Sequence, residues 1–367
     1  MKFLHISDLH IGKRLCEQSL LAEQRHILGE LVKIACEKSV HAVLIAGDVY
    51  DRSVPPVDAV DIFDDFITEL TEKNISVIII AGNHDSAERL AFGARIMNKR
   101  GVYISGNEFN YVTLHDEYGE LKIWLLPYMR SQAAKDTLES ATVDTNERNI
   151  ILAHQFVISH GSEPESGGSE SISVGGIDSV DAEIFRKFDY TALGHIHRPQ
   201  KVGENNIRYC GSPYRYSFDE CSHEKSAIIV ELREKSDIIL DFVKLTPERD
   251  LYRLKCKLCE LSEQSAPKDS YVEITLTDDE PVVDAISKVR EIYPNALKLI
   301  IENRYSKNSG AIHTLTGNDI KAKTPLELFA GFFEEMNGVS LSEDQLEFVK
   351  LAIDSETSEE ECLNETC

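Results

Sequence analysis

Five short segments carry side chains able to bind hard metal ions: Asp8-Leu9-His10, Gly47-Asp48, Gly82-Asn83-His84-Asp85, His154 and Gly194-His195-Ile196-His197. Asp8 and Asp48 bring carboxylates, Asn83 an amide carbonyl, and His10, His154, His195 and His197 imidazoles, with no thiolate among them. A mixed oxygen and nitrogen set of this kind suits Mn²⁺, Fe²⁺ or Zn²⁺ and is too rich in nitrogen for Ca²⁺ or Mg²⁺. These donors exceed what one ion needs. Two ions sharing one bridging carboxylate fit the number, and pairs about 3.5–4 Å apart are the arrangement used for in-line displacement at phosphorus.

The placement of these segments is as informative as their chemistry. Each follows, within a few residues, a short apolar run: Phe3 to Ile6, Ala42 to Ala46, Val77 to Ala81, Ile150 to Ala153 and Tyr190 to Leu193. The runs are continuously apolar rather than alternating, so they read as strands buried on both faces. In an α/β sheet the C-terminal strand ends form one edge, where residues distant in sequence converge on a ligand. Between the runs, Leu20 to Lys38 and Val57 to Lys73 place apolar residues at helical spacing, the second after Pro55-Pro56. Ser86 to Arg100 is a third expected helix, with Ser86 as its N-cap. Lys122 to Leu126, Ser226 to Leu232 and Ile238 to Val243 extend the layered core as a second sheet. This is α/β grammar, with two sheets flanked by helices.

After Pro247 the pattern changes. Tyr271 to Leu276 reads as a strand, Pro281 to Tyr293 as a helix and Ala296 to Ile301 as a strand, a compact β-α-β unit. A polar linker over 306–323 leads to two short amphipathic helices, Pro325 to Met336 and Ser342 to Ile353, and an acidic tail over 354–367 expected to be disordered. Ser162 to Gly176, rich in Ser, Gly and Glu, is a surface loop by composition.

The chain has 367 residues and a formal net charge of −24, which argues against gripping nucleic acid by bulk electrostatics. Any polyanion would have to be held locally, by metal ions or a partner. No apolar stretch approaches the roughly 20 residues of a membrane span, and the start turns polar too early for a signal peptide. A cytoplasmic enzyme is therefore expected. Cys256 and Cys259 lack a second ligand pair nearby and read as reduced thiols.

The ordered set Asp8-x-His10, Gly47-Asp48-x-x-Asp51, Gly82-Asn83-His84-Asp85, His154 and Gly194-His195-x-His197 resembles the calcineurin-like metallophosphoesterase superfamily. Within it, Ile6-Ser7-Asp8-Leu9-His10-Ile11-Gly12, Gly47-Asp48-Val49-Tyr50-Asp51-Arg52, Ser173-Val174-Gly175-Gly176 and Thr324-Pro325-Leu326-Glu327-Leu328-Phe329 are similar to the SbcD family of bacterial nuclease subunits. The resemblance implies a metallophosphoesterase sandwich over 1–246 and a small DNA-facing capping domain over 247–305. The helices over 324–353 carry more apolar side chains than the neighbouring core can cover, which suggests docking on a partner helix or coiled coil, with packing back on the small domain equally open. The resemblance also implies that Asp8, His10, Asp48 and His197 hold one ion and Asp48, Asn83, His154 and His195 the other, with Mn²⁺ the expected metal. His84 would assist the leaving oxygen. Asp51 departs from the eukaryotic and archaeal repair nucleases, where a histidine is usual; by similarity to Ser/Thr phosphatases it would hydrogen-bond His84 and fix its tautomer.

By the same resemblance, the activity is exonuclease on duplex ends and endonuclease on single strands and hairpins, in DNA repair and recombination. The expected partners are DNA, an SbcC-type ATPase with a coiled coil, and a second copy of the chain through the region of Val57 to Lys73. Arg52 and Arg198, adjacent to motif residues, are the expected phosphate contacts. Gly-Asp-x-x-Asp-Arg is also carried by Ser/Thr phosphatases. A phosphatase or small-substrate phosphodiesterase is thus the competing enzyme, and a non-catalytic scaffold for the ATPase the competing binding protein. His5, His26, His41, His115, His160, His223 and His313 read as structural or surface residues.

Overall fold

Residues 1–165, 179–302, 326, 329–331, 333–334 and 339–351 are described by a computed structural model. Most of the Ser/Gly-rich loop including Ser173-Val174-Gly175-Gly176, the linker over 306–323, most of Pro325 to Met336 and the tail from Asp354 lie outside the described residues. The chain divides into two compact units, Met1–Leu251 and Tyr252–Cys367.

The first unit is built on two six-stranded sheets. In the first sheet Lys2–Ile6, Ala42–Ala46, Ser76–Ile80 and Val102–Ser105 run parallel, each in register with the next. In the second, Gly119–Leu126, Arg148–His154, Tyr190–Gly194 and Glu204–Tyr209 run parallel, edged by Asn110–Asp116 and Gln200–Val202. The sheets pack face to face: Phe3, Leu44, Ile78 and Ile80 of one meet Leu121, Ile123, Ile150, Leu152 and Tyr190 of the other in a single apolar cluster. Truncating one of these leucines to alanine would cost about 2–5 kcal/mol, because a packed core refills a cavity only partly.

Helices cover the outer faces. Leu21–Glu37 buries Ile27, Leu28 and Leu31, and Val57–Glu72 buries Ile62, Phe63, Phe66 and Leu70; the two pack on each other, and the second touches the strand Ser76–Ile80. On the far side Ala134 and Leu138 of the helix Ser131–Ser140 join Phe185 and Phe188 over Trp124, Leu126 and Ile151. Among the described residues no helix is long and apolar enough to cross a membrane.

Two expectations need correction. Lys122 to Leu126 does lie in the second sheet, but Ser226–Leu232 and Ile238–Lys244 form an antiparallel extension of the first, beside Lys2–Ile6. Their apolar content is satisfied equally by either layer, and what selects the first is pairing with the N-terminal strand, whose ammonium donates to the Leu232 carbonyl at 2.7 Å. Ser86 to Arg100 is not one helix. Gly93, at φ +76°, breaks it into the short turns Ala87–Leu90 and Ala94–Met97 and a 3₁₀ turn, and the Ser86 side chain makes no cap bond.

The second unit contains a three-stranded sheet. Tyr271–Leu276 pairs in parallel with Ala296–Ile301 across the helix Ala285–Ile292, and Leu251–Cys256, invisible in the sequence as a strand, supplies the third member. Val272, Ile274, Val289 and Tyr293 fill its core. Residues 343–351 are helical.

Candidate metal centre

Every one of the seven donors falls on a loop or strand end at the C-terminal edge of these sheets. Asp8, His10, Asp48 and Asn83 follow strands of the first sheet, whereas His154, His195 and His197 end or follow strands of the second. Main-chain bonds tie the first-sheet loops together: Asp8 N–H donates to Gly47 O at 3.0 Å, and His10 N–H to Asp48 O at 3.0 Å. Asp85 staples the next loop to them, its carboxylate accepting from Val49 N–H at 3.1 Å, Tyr50 N–H at 2.9 Å and Gly82 N–H at 2.9 Å. The sheets are joined in turn when His195 N–H donates to Asp8 Oδ1 at 2.9 Å.

The donor atoms fall into two groups around Asp48. His10 Nε2 and His197 Nε2 stand 3.0 Å apart, with Asp8 close enough that the three ligand atoms lie within 4.8 Å of one another. Asn83 Oδ1 stands 3.0 Å from both His154 Nε2 and His195 Nδ1. Asp48 Oδ2 faces both groups, 3.6 Å from His10 Nε2 and 3.4 Å from His154 Nε2. All of these residues are buried except Asn83, which is half-buried.

Hydrogen-bond chemistry tests whether such a cluster fits a cation. His154 Nδ1 donates to the Ala46 carbonyl at 2.8 Å, which leaves Nε2 as a lone pair turned on the oxygens of Asp48 and Asn83. Acceptors aimed at acceptors in a buried space need a positive species between them. Protonation meets the same need: although burial works to lower it, the Asp48 charge raises the His154 pKa to about 9. Burial likewise opposes ionisation of Asp48, yet His154 and His10 outweigh it and hold the carboxyl well below its usual range. Burial lowers His195 to about 3, helped by the His154 charge, so its imidazole is neutral and available as a ligand. The site fits divalent cations.

Backbone geometry shows the same commitment. Asp8, His10, Asp48 and His195 adopt φ of +53°, +43°, +50° and +105°, a region costly for residues with a Cβ and found where function holds strain in place. Glycines admit the close approach: a Cβ on Gly82 would collide with the Asp48 carboxylate, and one on Gly194 with the Ala46 carbonyl.

The remaining expected residues divide. His84 is half-buried, its ring edge-on to His10 with centroids 4.7 Å apart, and its N–H donates to Asp48 Oδ1 at 2.8 Å. With His10 and Asp48 it also forms a third group able to hold a metal. The expected Asp51 carboxylate bond to His84 is absent. His84 Nδ1 donates instead to the Asp51 main-chain carbonyl at 2.9 Å, and the carboxylate is drawn to Lys13 Nζ at 2.8 Å. Arg52 is exposed beside Asp51, and Arg198 is engaged by Glu165.

Several contributors escaped the sequence reading. Gln24 donates to the main-chain oxygens of Leu9 at 3.2 Å and His10 at 2.7 Å, supporting the first loop from the helix behind it. Tyr128 stacks beside His195, centroids 6.4 Å apart; it lies just past a strand end, so the edge rule could have found it. Glu220 and Lys225 lie buried behind His197, and nothing in their spacing points there.

Comparison with known proteins now adds to the geometry. Residues 1–199 match the family model described as calcineurin-like phosphoesterase, and residues 247–337 match a type 5 capsule protein repressor C-terminal domain. The chain is 28% identical, over 373 aligned residues covering 95% of it and 97% of the relative, to the D component of nuclease SbcCD from Staphylococcus epidermidis. Similar solved structures include a dimetal phosphatase from Danio rerio, 13% identical with a TM-score of 0.41, spanning 66% of this chain and 96% of that one. Another is a phosphoesterase from E. coli, 14% identical with a TM-score of 0.29, spanning 67% and 100%.

Proposed function

Since the chain belongs to the calcineurin-like phosphoesterase family, we propose that it is the nuclease subunit of an SbcCD-type complex, a two-metal, Mn²⁺-dependent phosphodiesterase. It cleaves DNA from duplex ends and within single strands and hairpins, in the cytoplasm, as a homodimer joined to an SbcC-type coiled-coil ATPase. The reading draws on the near full-length likeness to the D component of a bacterial SbcCD nuclease. It also accounts for an acidic chain acting on a polyanion, since cations and a partner supply the positive charge.

One observation carries the chemistry: Asp48 Oδ2 stands between two imidazoles, 3.6 and 3.4 Å away, one in each donor group. Asp8, His10, Asp48 and His197 would hold one ion, and Asp48, Asn83, His154 and His195 the other. Divalent ions bound there supply positive charge for phosphoryl oxygens and lower the pKa of water. The chain's own residues do the rest. His84 Nδ1 donates to a carbonyl that can only accept, so Nε2 is the atom left to carry a proton to the leaving oxygen. Its main-chain bond to Asp48 keeps that ring in step with the donor groups.

The test offers the purified chain Mn²⁺ with a labelled duplex, a hairpin and p-nitrophenyl phosphate. Cleavage of DNA is expected, abolished in Asp48→Ala together with metal binding. His84→Gln should retain both ions and lose about 10²–10⁴-fold in rate, the usual share of a positioned acid. Loss of metal in His84→Gln would make it a ligand. Hydrolysis of the small ester alone would make the chain a phosphatase.

A further inference from the structure

Behind His197 lies a buried ion pair, beyond the residue at which the match to the family model ends. Glu220 sits on the 3₁₀ turn Phe218–Ser222, and Lys225 immediately precedes the strand Ser226–Leu232. The Glu220 carboxylate reaches both His197 and Lys225. Its Oε1 lies 3.4 Å from His197 Nδ1, and its Oε2 accepts from Lys225 Nζ at 2.6 Å. The same ammonium donates to the main-chain oxygen of His197 at 2.8 Å and to Ser212 Oγ at 2.8 Å.

Burying such a pair seldom stabilises a fold more than apolar residues of the same volume would, so its use here calls for a task that apolar residues cannot perform. Both partners grip one residue, by its ring and by its main chain. A carboxylate can only accept, so His197 Nδ1 carries the hydrogen and the ring's lone pair is on Nε2, 3.0 Å from His10 Nε2.

We propose that Glu220 and Lys225 are positioning residues that lock the tautomer and ring direction of His197, and thereby set the affinity of one metal position but not the other. The proposal rests on the ligand assignment of His197 made above. Lys225 also makes the carboxylate irreplaceable by an amide. In Glu220→Gln the ammonium would claim the amide oxygen, turning the NH₂ group toward His197 Nδ1. The ring would then have to carry its hydrogen on Nε2, the atom facing His10. Removing the ammonium frees the amide to turn round.

Mn²⁺ binding to the full chain, followed by calorimetric titration and electron paramagnetic resonance, reads this without catalysis. His197→Ala and His154→Ala identify the two binding steps. Glu220→Gln should weaken the step lost in His197→Ala by about 10–100-fold, the usual effect of a group that orients a histidine ligand, and leave the other unchanged. The double variant Glu220→Gln/Lys225→Met should recover part of that loss, since the amide can turn its oxygen back to His197 Nδ1 while the main-chain bond from Lys225 stays missing. If His197→Ala leaves both steps intact, the ligand assignment fails. If His197→Ala removes a step but Glu220→Gln changes neither, weakens both alike, or is not rescued, the clamp is overturned and the ligand assignment stands.

Discussion

Replacing Gly194 by alanine tests the metal centre without replacing any proposed ligand. This glycine closes the strand Tyr190–Gly194 in register with His154. A Cβ there would overlap the Ala46 carbonyl oxygen, 3.0 Å from its carbon and 2.9 Å from His154 Nδ1. The same oxygen accepts the hydrogen bond that fixes the His154 ring, at 2.8 Å. Neither neighbour is the free end of a flexible side chain, so the sheets must part locally. Overpacking of this kind costs about 1–3 kcal/mol. At about 2–4 °C per kcal/mol, for a unit of this size, a cost of ~2 kcal/mol lowers Tm by about 4–8 °C. The functional loss should be larger, because displacing a reacting group by about 1 Å can cost about 10²-fold in rate. Thermal melts and kcat/KM for DNA cleavage with Mn²⁺ measure both, with Gly29→Ala as control. Gly29 lies inside the helix Leu21–Glu37 with nothing within 4 Å of an added Cβ, so that variant should gain about 0.5–1 kcal/mol. A Gly194→Ala protein that melts and cleaves like the wild type would refute the close approach and the role given to the Ala46 carbonyl.

Asp51→Asn should lower kcat/KM less than tenfold, roughly 1 kcal/mol, because a main-chain carbonyl holds His84 and the Lys13 pair is a partly exposed one; a loss as deep as that of His84→Gln would return to the carboxylate the role of holding His84. Asp116→Asn addresses the N-terminal edge, where the carboxylate binds Arg148 and the N-terminal ammonium. Burial pushes Asp116 up, but those two partners outweigh it and leave the carboxyl below its usual range. Its contribution is therefore complete above the unfolded value of about 3.9 and fades as pH falls through it toward the folded one. In urea unfolding, the stability gap between wild type and Asp116→Asn should be constant from about pH 7 to 5 and close below about pH 4; a gap unchanged down there would refute the assignment.

The five chemistry-bearing segments were legible because a strand buried on both faces leaves an uninterrupted apolar run, and the residues at its end have one place to go. The β-α-β pattern of the second unit was legible for the same reason. What escaped depends on contacts that no run length encodes. Ser226–Leu232 has the composition of either sheet, and only its pairing with Lys2–Ile6 decides. Gly93 ends a helix that periodicity would carry through. The left-handed backbone of Asp8, His10, Asp48 and His195 is imposed by neighbouring loops, since none of these residues prefers it alone. Asp51 misled because its side chain and its carbonyl leave the same residue in different directions. Glu220 and Lys225 became visible only when the chain brought them behind His197.

Ions held as proposed would be fasteners as well as reagents, because the donors are divided between the two sheets. On that assignment neither layer alone would supply all the ligands of either ion, so the site would form only after the layers had docked. Tight metal occupancy then weights the equilibrium toward the docked state, by about 2.7 kcal/mol for a ligand at one hundred times its Kd. A cell short of the metal would therefore hold a looser sandwich, and would lose this protein to proteolysis as well as to idleness.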